Sequence, residues 1–162
     1  LACEAMISSY AATYGWHAWV YRFANIIGSR STHGVIYDFV QKLRANPNEL
    51  EILGDGSQSK SYLSVEECVK AVVFAPEISN DTFNFFNIGS EDWVTVKRIA
   101  ELVVEEMGLT GVEFKFTGGD RGWVGDVPKM QLSVDKLKSF GWNPGVTSED
   151  AVRAAIRATL EE

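Results

Sequence analysis

Three short stretches hold the residues best suited to gripping a polar ligand. Gly34 and Val35 open a helical stripe after an irregular loop, and a helix amino terminus presents unpaired N–H groups and a partial positive charge to an anion such as phosphate. Lys60, just past the Gly54-Asp55-Gly56 turn, and Arg121, in a glycine-rich run, are cations that could join that grip or pair with any of the many carboxylates. Asn25 closes a strand-like run, where its amide can meet a ligand or form an ordinary loop. His33 stands alone in the same loop and fits solvation better than ligation.

Other chemistries find less support. Glu66-Glu67 and Glu105-Glu106 read as solvated helix faces, not as a close pair of acid and base. Cys3 and Cys68 show no C-x-x-C spacing, which argues against a disulfide framework or a metal site and fits a reducing cytoplasm. Gly118-Gly119-Asp120-Arg121-Gly122 follows a strand without opening a clear helix, and no G-x-x-G-x-x-G occurs, so a dinucleotide cradle is absent from these residues. No residue is assigned a catalytic role.

The elements that must position these groups follow from periodicity and punctuation. A helix runs from Leu1 to a turn at Gly15, and His17 to Ala24 (HAWVYRFA) is a buried strand ending in a loop over 25–34. Apolar residues at 35, 36, 39, 40 and 43 predict a helix halted by Asn46-Pro47, and Leu50 to Leu53 a short strand. Ser64-Val65-Glu66-Glu67 has capping-box form and starts a helix to about Pro76. Thr82 to Ile88 (TFNFFNI) is a second strand, Thr95 caps a helix to Met107, and Val112 to Phe116 alternates as a strand. Residues 118–128 are irregular, Met130 to Val134 is a last short strand, Ser133 or Asp135 caps a helix ending at Gly141, and Thr147 to Leu160 closes the chain as a helix. The order is mixed α/β.

With 46% apolar residues in 162, the chain can bury a core of ordinary domain size. Lys and Arg number 15 against 22 Asp and Glu, a net charge of -7, which disfavours nucleic acid because phosphate neutralisation needs a basic face. The apolar runs are strand-sized and broken by Arg22, Gly54 or Asn84, so neither a membrane span nor an export signal is expected. The chain opens at Leu1 already in a helical pattern with no cap before it, which reads as a cut inside an element.

Five motifs in order carry a resemblance. Arg22-Phe23-Ala24-Asn25 with Ile26-Ile27-Gly28-Ser29-Arg30 resembles the R-[YF]-x-N-x-x-G-P-R stretch of extended short-chain dehydrogenases, notably their NAD-dependent epimerases and dehydratases, with Ser29 in place of Pro. Ile52 to Tyr62 resembles I-x-G-D-G-x-Q-x-R-D-Y, with Lys60 for Arg and Ser61 for Asp. Phe85 to Gly89 is similar to F-N-I-G, Gly125-Asp126-Val127 to G-D-V, and Phe140 to Pro144 to L-G-W-x-P.

The resemblance implies the carboxy-terminal part of a Rossmann-type α/β enzyme acting on a nucleotide sugar, of UDP-glucose 4-epimerase type. Two strands, HAWVYRFA and TFNFFNI, would belong to a parallel sheet, so residues 1–28 and 64–92 would be a remnant of the NAD-binding domain. Residues 29–63 and 93–162 would form the small mixed α/β domain that binds a UDP-sugar. It places Phe23 near the nicotinamide, its side chain in the core. Asn25, Gly34, Val35, Lys60 and Arg121 fall around the diphosphate, and Ala45 and Pro47 at the uracil wall. Lys60 keeps the charge of the family's Arg without its two-pronged geometry, and Trp123 takes the slot of an Arg in the family's R-x-G-D. The family's catalytic Y-x-x-x-K does not occur here, so the chain alone would be inactive, and the two strands left without the rest of their sheet lead one to expect a homodimer or a companion amino-terminal chain. A dehydratase portion, or a freestanding binding or interaction module, are the alternatives.

Overall fold

The computed structural model describes residues 1–162. Helix α1 (Ala2–Tyr14) precedes β1 (Ala18–Phe23), which pairs in parallel with β6 (Phe83–Ile88), Ala18 opposite Phe83 and Phe23 opposite Ile88. This is the expected pair of parallel strands, and helix α3 (Val65–Ile78) connects back to the second of them. Every β6 residue alternates as a strand with one buried face must: Asn84, Phe86 and Ile88 are buried, Phe85 half exposed. Phe23 contradicts its expected core placement, because it ends the strand where nothing covers it and is 50% exposed.

The remaining strands are short and also mostly parallel. β2 (Asn25–Ile27) pairs with β5 (Tyr62–Ser64), β3 (Glu49–Ile52) with β8 (Glu113–Phe116), and β4 (Ser59–Lys60) lies between antiparallel β7 (Val94–Thr95) and parallel β9 (Lys129–Met130). Residues 25–27 therefore depart from the loop expected over 25–34, since β5 supplies a partner 36 residues or more along the chain that no local signal announces. The strand expected over 130–134 shrinks to Lys129–Met130, because only those two residues reach β4.

Apolar residues collect in two clusters. The larger joins α2 (Val35–Ala45), α4 (Val96–Glu106) and α6 (Ser148–Glu161) over β3, with Val40, Leu43, Leu50, Leu102 and Ile156 among its buried residues. The smaller joins α3, β6 and α5 (Asp135–Ser139) through Leu63, Ala71, Phe86 and Leu137. The opposite faces of α4 and α6 are tied by ion pairs: Arg153 reaches Glu105 and Glu106, Arg157 reaches Glu106, and Arg98 reaches Glu149. Glu105 and Glu106 thus differ from the freely solvated pair expected. Glu67 differs too: it is buried, takes the Lys70 ammonium at 2.7 Å and the Gly145 N–H at 2.9 Å, and so leaves the Ser64 cap one-sided. Thr147 and Asp150 form the complete capping box instead, at the start of α6.

Helix α3 runs through Pro76 to Ile78, past the expected stop. Proline has no N–H to give the carbonyl one turn back, which belongs to Val72. The Tyr21 hydroxyl donates to that carbonyl at 3.0 Å, so the group Pro76 orphans is satisfied from β1. Tyr21→Phe should destabilise the protein by about 1 kcal/mol, read as a lower urea midpoint at unchanged m-value, whereas a solvated hydroxyl would leave the midpoint where it is. No helix is long and apolar enough to cross a membrane.

Candidate functional site

A cleft of about 640 Å³ opens between the start of β2, the amino end of α2, the turn after β3 and the loop 122–126. Four of the residues expected to bind ligand line it: Asn25, Gly34, Val35 and Lys60. His33 is beside them. Ala45 and Pro47 lie exposed at the other end of α2 and do not line the cleft, while Arg121 and Phe23 are exposed and also outside its lining.

The amino end of α2 is bare. Gly34 is its cap, at φ 97° and ψ 170°, a positive-φ backbone that side chains disfavour, and no side chain satisfies the first N–H groups. Those donors and the helix dipole make the cleft's anion-accepting corner. Asp38, in the same first turn, has its charge taken up by Lys42 at 2.9 Å. On β2, Asn25 gives one amide N–H to the Ser61 carbonyl at 2.9 Å. That bond fixes the side chain and leaves its oxygen and second N–H for a ligand.

The facing wall is built on the turn between β3 and β4. Gly54 holds φ 83°, and a Cβ there would stand 1.8 Å from the Gln58 amide nitrogen, so both conformation and space demand glycine. Gln58, buried beneath, donates to the Leu53 carbonyl at 3.2 Å and keeps Leu53 on the cleft. Ser61, at the position where the resemblance leads one to expect Asp, is fully buried and exchanges hydrogen bonds with the Ser90 backbone, so it braces β5 against the end of β6. Ser148 does likewise for Tyr62, accepting from its N–H and donating to its carbonyl at 3.0 Å.

Lys60 is already partnered: its ammonium meets Asp126 at 2.7 Å, and the Gly122 N–H donates to the same carboxylate. Burial alone would raise the Asp126 pKa, but the Lys60 and Gly122 bonds outweigh it and hold the carboxyl below its ordinary range. Tyr62, also on the cleft, is pushed up to about 12 by burial and then by Asp126, so its hydroxyl stays protonated and is no base. The cleft can therefore bind and orient an anionic, hydroxyl-bearing ligand.

Asp126, Leu53, Gln58, Tyr62 and Trp123 are among the lining residues that sequence reasoning did not assign. For Asp126 the signal was the Gly125-Asp126-Val127 motif; its pairing with Lys60 depends on β9 lying beside β4, which no local pattern reveals.

Known proteins share this fold. The crystal structure of a UDP-galactose 4-epimerase superposes with a TM-score of 0.84 at 40% identity, covering 98% of this chain and 50% of that one. The UDP-glucose 4-epimerase of Thermotoga maritima, crystallised with UDP-glucose, gives 0.81 at 29% identity, with 98% and 50% covered. The GDP-mannose 3,5-epimerase of Arabidopsis thaliana is 29% identical over 160 residues, 94% of this chain and 40% of its own length. The chain thus spans about half the length of the relatives it matches or less. The profile of the NAD dependent epimerase/dehydratase family matches residues 1–89, more than half of these residues, and the chain belongs to that family.

Proposed function

We propose that this chain is the nucleotide-sugar-binding part of an NAD-dependent UDP-sugar 4-epimerase-like enzyme. The observation that carries the reading is the single cleft that brings the uncapped start of α2, Asn25 and Lys60 together. Free N–H donors and an ammonium suit a diphosphate, and an amide with spare donor and acceptor suits sugar or ribose hydroxyls. The 40% identity to a UDP-galactose 4-epimerase over nearly all of the chain supports UDP as the nucleotide.

In this reading residues 1–28 and 64–92 belong to the cofactor domain, and residues 29–63 and 93–162 to the substrate domain. The carboxyl ends of β1 and β6 meet at Phe23 and Ile88, the end of a parallel sheet where a dinucleotide lies. NAD would bring the hydride-accepting chemistry. These 162 residues alone do not fit it, because no strand here leads through a glycine-rich turn into a helix and no Y-x-x-x-K occurs. Turnover therefore requires residues from outside them, and the chain by itself binds without reacting. The sheet of β1 and β6 has two strands and free edges, which invites a further strand from a companion segment or a second copy.

Val35→Pro tests the anion corner. Proline is well tolerated at the first position of a helix, yet it deletes one of the free N–H groups. Calorimetry with UDP-glucose should show binding by the unaltered protein and about 10- to 100-fold weaker binding by the variant, at the scale of one hydrogen bond to a charged group, with the melting temperature held. No heat with UDP-glucose in the unaltered protein would sink the proposal.

A further inference from the structure

We propose that Trp123 is the stacking platform for the nucleobase of the ligand, a role that rests on the nucleotide-sugar reading of the cleft. Trp123 lines the cleft and is 67% exposed, so the indole is open to a ligand there. A Cβ at Gly125 would come 2.2 Å from the six-membered ring of the indole, so the ring lies directly against the glycine. The Asp126 N–H donates to the Trp123 carbonyl at 3.0 Å and closes the turn beneath it, and Asp126 in turn is anchored by Lys60.

Leu53, 45% exposed and on the same cleft, stands next to this turn: a Cβ on Gly122 would be 3.6 Å from the Leu53 Cβ. Leu53 and Trp123 thus form an apolar section next to the Lys60–Asp126 pair, in a cleft whose lining is half apolar. A sugar ring offers an indole only a patch of C–H groups, a smaller flat contact than a base makes. A base has a flat π face with no hydrogen-bonding groups on it, and stacking on an indole matches that face. The polar section is then left to the diphosphate and the sugar.

The experiment uses UDP, UDP-glucose and glucose 1-phosphate as probes on the unaltered protein, Trp123→Ala, Trp123→Phe and Gly125→Ala. UDP and UDP-glucose should each bind Trp123→Ala about 5- to 100-fold more weakly, the range of one base–aromatic contact. Trp123→Phe should keep most of the affinity, and Gly125→Ala should lose it with the indole still present. UDP should also quench tryptophan emission in the unaltered protein and not in Trp123→Phe, while glucose 1-phosphate leaves the emission unchanged in both. UDP affinity equal in the unaltered protein and Trp123→Ala overturns the inference, as does a loss confined to UDP-glucose, which would assign the ring to the sugar. Absence of UDP and UDP-glucose binding by the unaltered protein overturns the function and this inference together.

Discussion

Phe86→Ala is expected to cost about 3–5 kcal/mol of unfolding free energy, while Phe85→Ala, one residue away, costs about 1 kcal/mol at most. Phe86 is fully buried on β6 in the smaller core, with the Phe140 ring edge-on at 6.3 Å. Truncating it removes a large apolar area and opens a cavity that the helices packed on this face of β6 close only in part. Phe85 points to the other face, 45% exposed, where it meets the Lys136 ammonium at 4.3 Å, the Arg22 guanidinium at 5.3 Å and the tilted Phe83 ring at 6.4 Å. Typical domains hold 5–15 kcal/mol in all, so the Phe86 variant should show a large fall in urea midpoint and the Phe85 variant a small one. Equal losses in urea titrations of the two would mean that β6 does not present the faces described.

The second large effect concerns Lys60. Lys60→Met should cost about 2 kcal/mol at neutral pH, below the full penalty for breaking a buried pair because the Lys60 side chain keeps 27% exposure while Asp126 keeps 9%. The sign of the pH dependence follows from Asp126. Its folded pKa is depressed, so the pair's contribution is present above the unfolded carboxyl value and is lost as pH falls through the folded value. Without Lys60 that depression is largely removed, and acidification takes less from the variant than from the parent. The gap in stability should therefore narrow as urea melts move from pH 7 towards pH 3.5. A gap that stays constant would show that the loss comes from the Lys60 stem and not from its charge. Adding Asp126→Asn to Lys60→Met should recover most of the neutral-pH loss, since no buried charge is then left alone.

Much of this architecture was legible in the residues, for reasons that are local. Helix α2 has its apolar residues at helical spacing, α4 begins at Thr95, whose hydroxyl accepts from the Arg98 N–H, and the aromatic run of β6 ends at Gly89. The misses are all long-range. Strands β2, β4, β5, β7 and β9 are two or three residues long and exist only because a distant segment lies beside them. Pro76 is a helix stop by local rules and is overruled by a hydroxyl from β1. At the site, helix start and cation were visible in Gly34, Val35 and Lys60, whereas the carboxylate that holds Lys60 and the indole seated on Gly125 required the folded chain.

Parallel pairing also sets the route by which the chain folds. Ala18 must find Phe83, Glu49 must find Glu113, and Ser59 must find Lys129, and only the β4–β7 pair is antiparallel. Each contact closes a long loop, whose entropy is lost before the pairing gives anything back. Helices α2, α4 and α6 can form early from local signals, yet the core between them needs β3 and β8 in register. The slow event in refolding is thus the meeting of distant strands, and until it happens the apolar faces of β1 and β6 stand open to the same strands of other molecules.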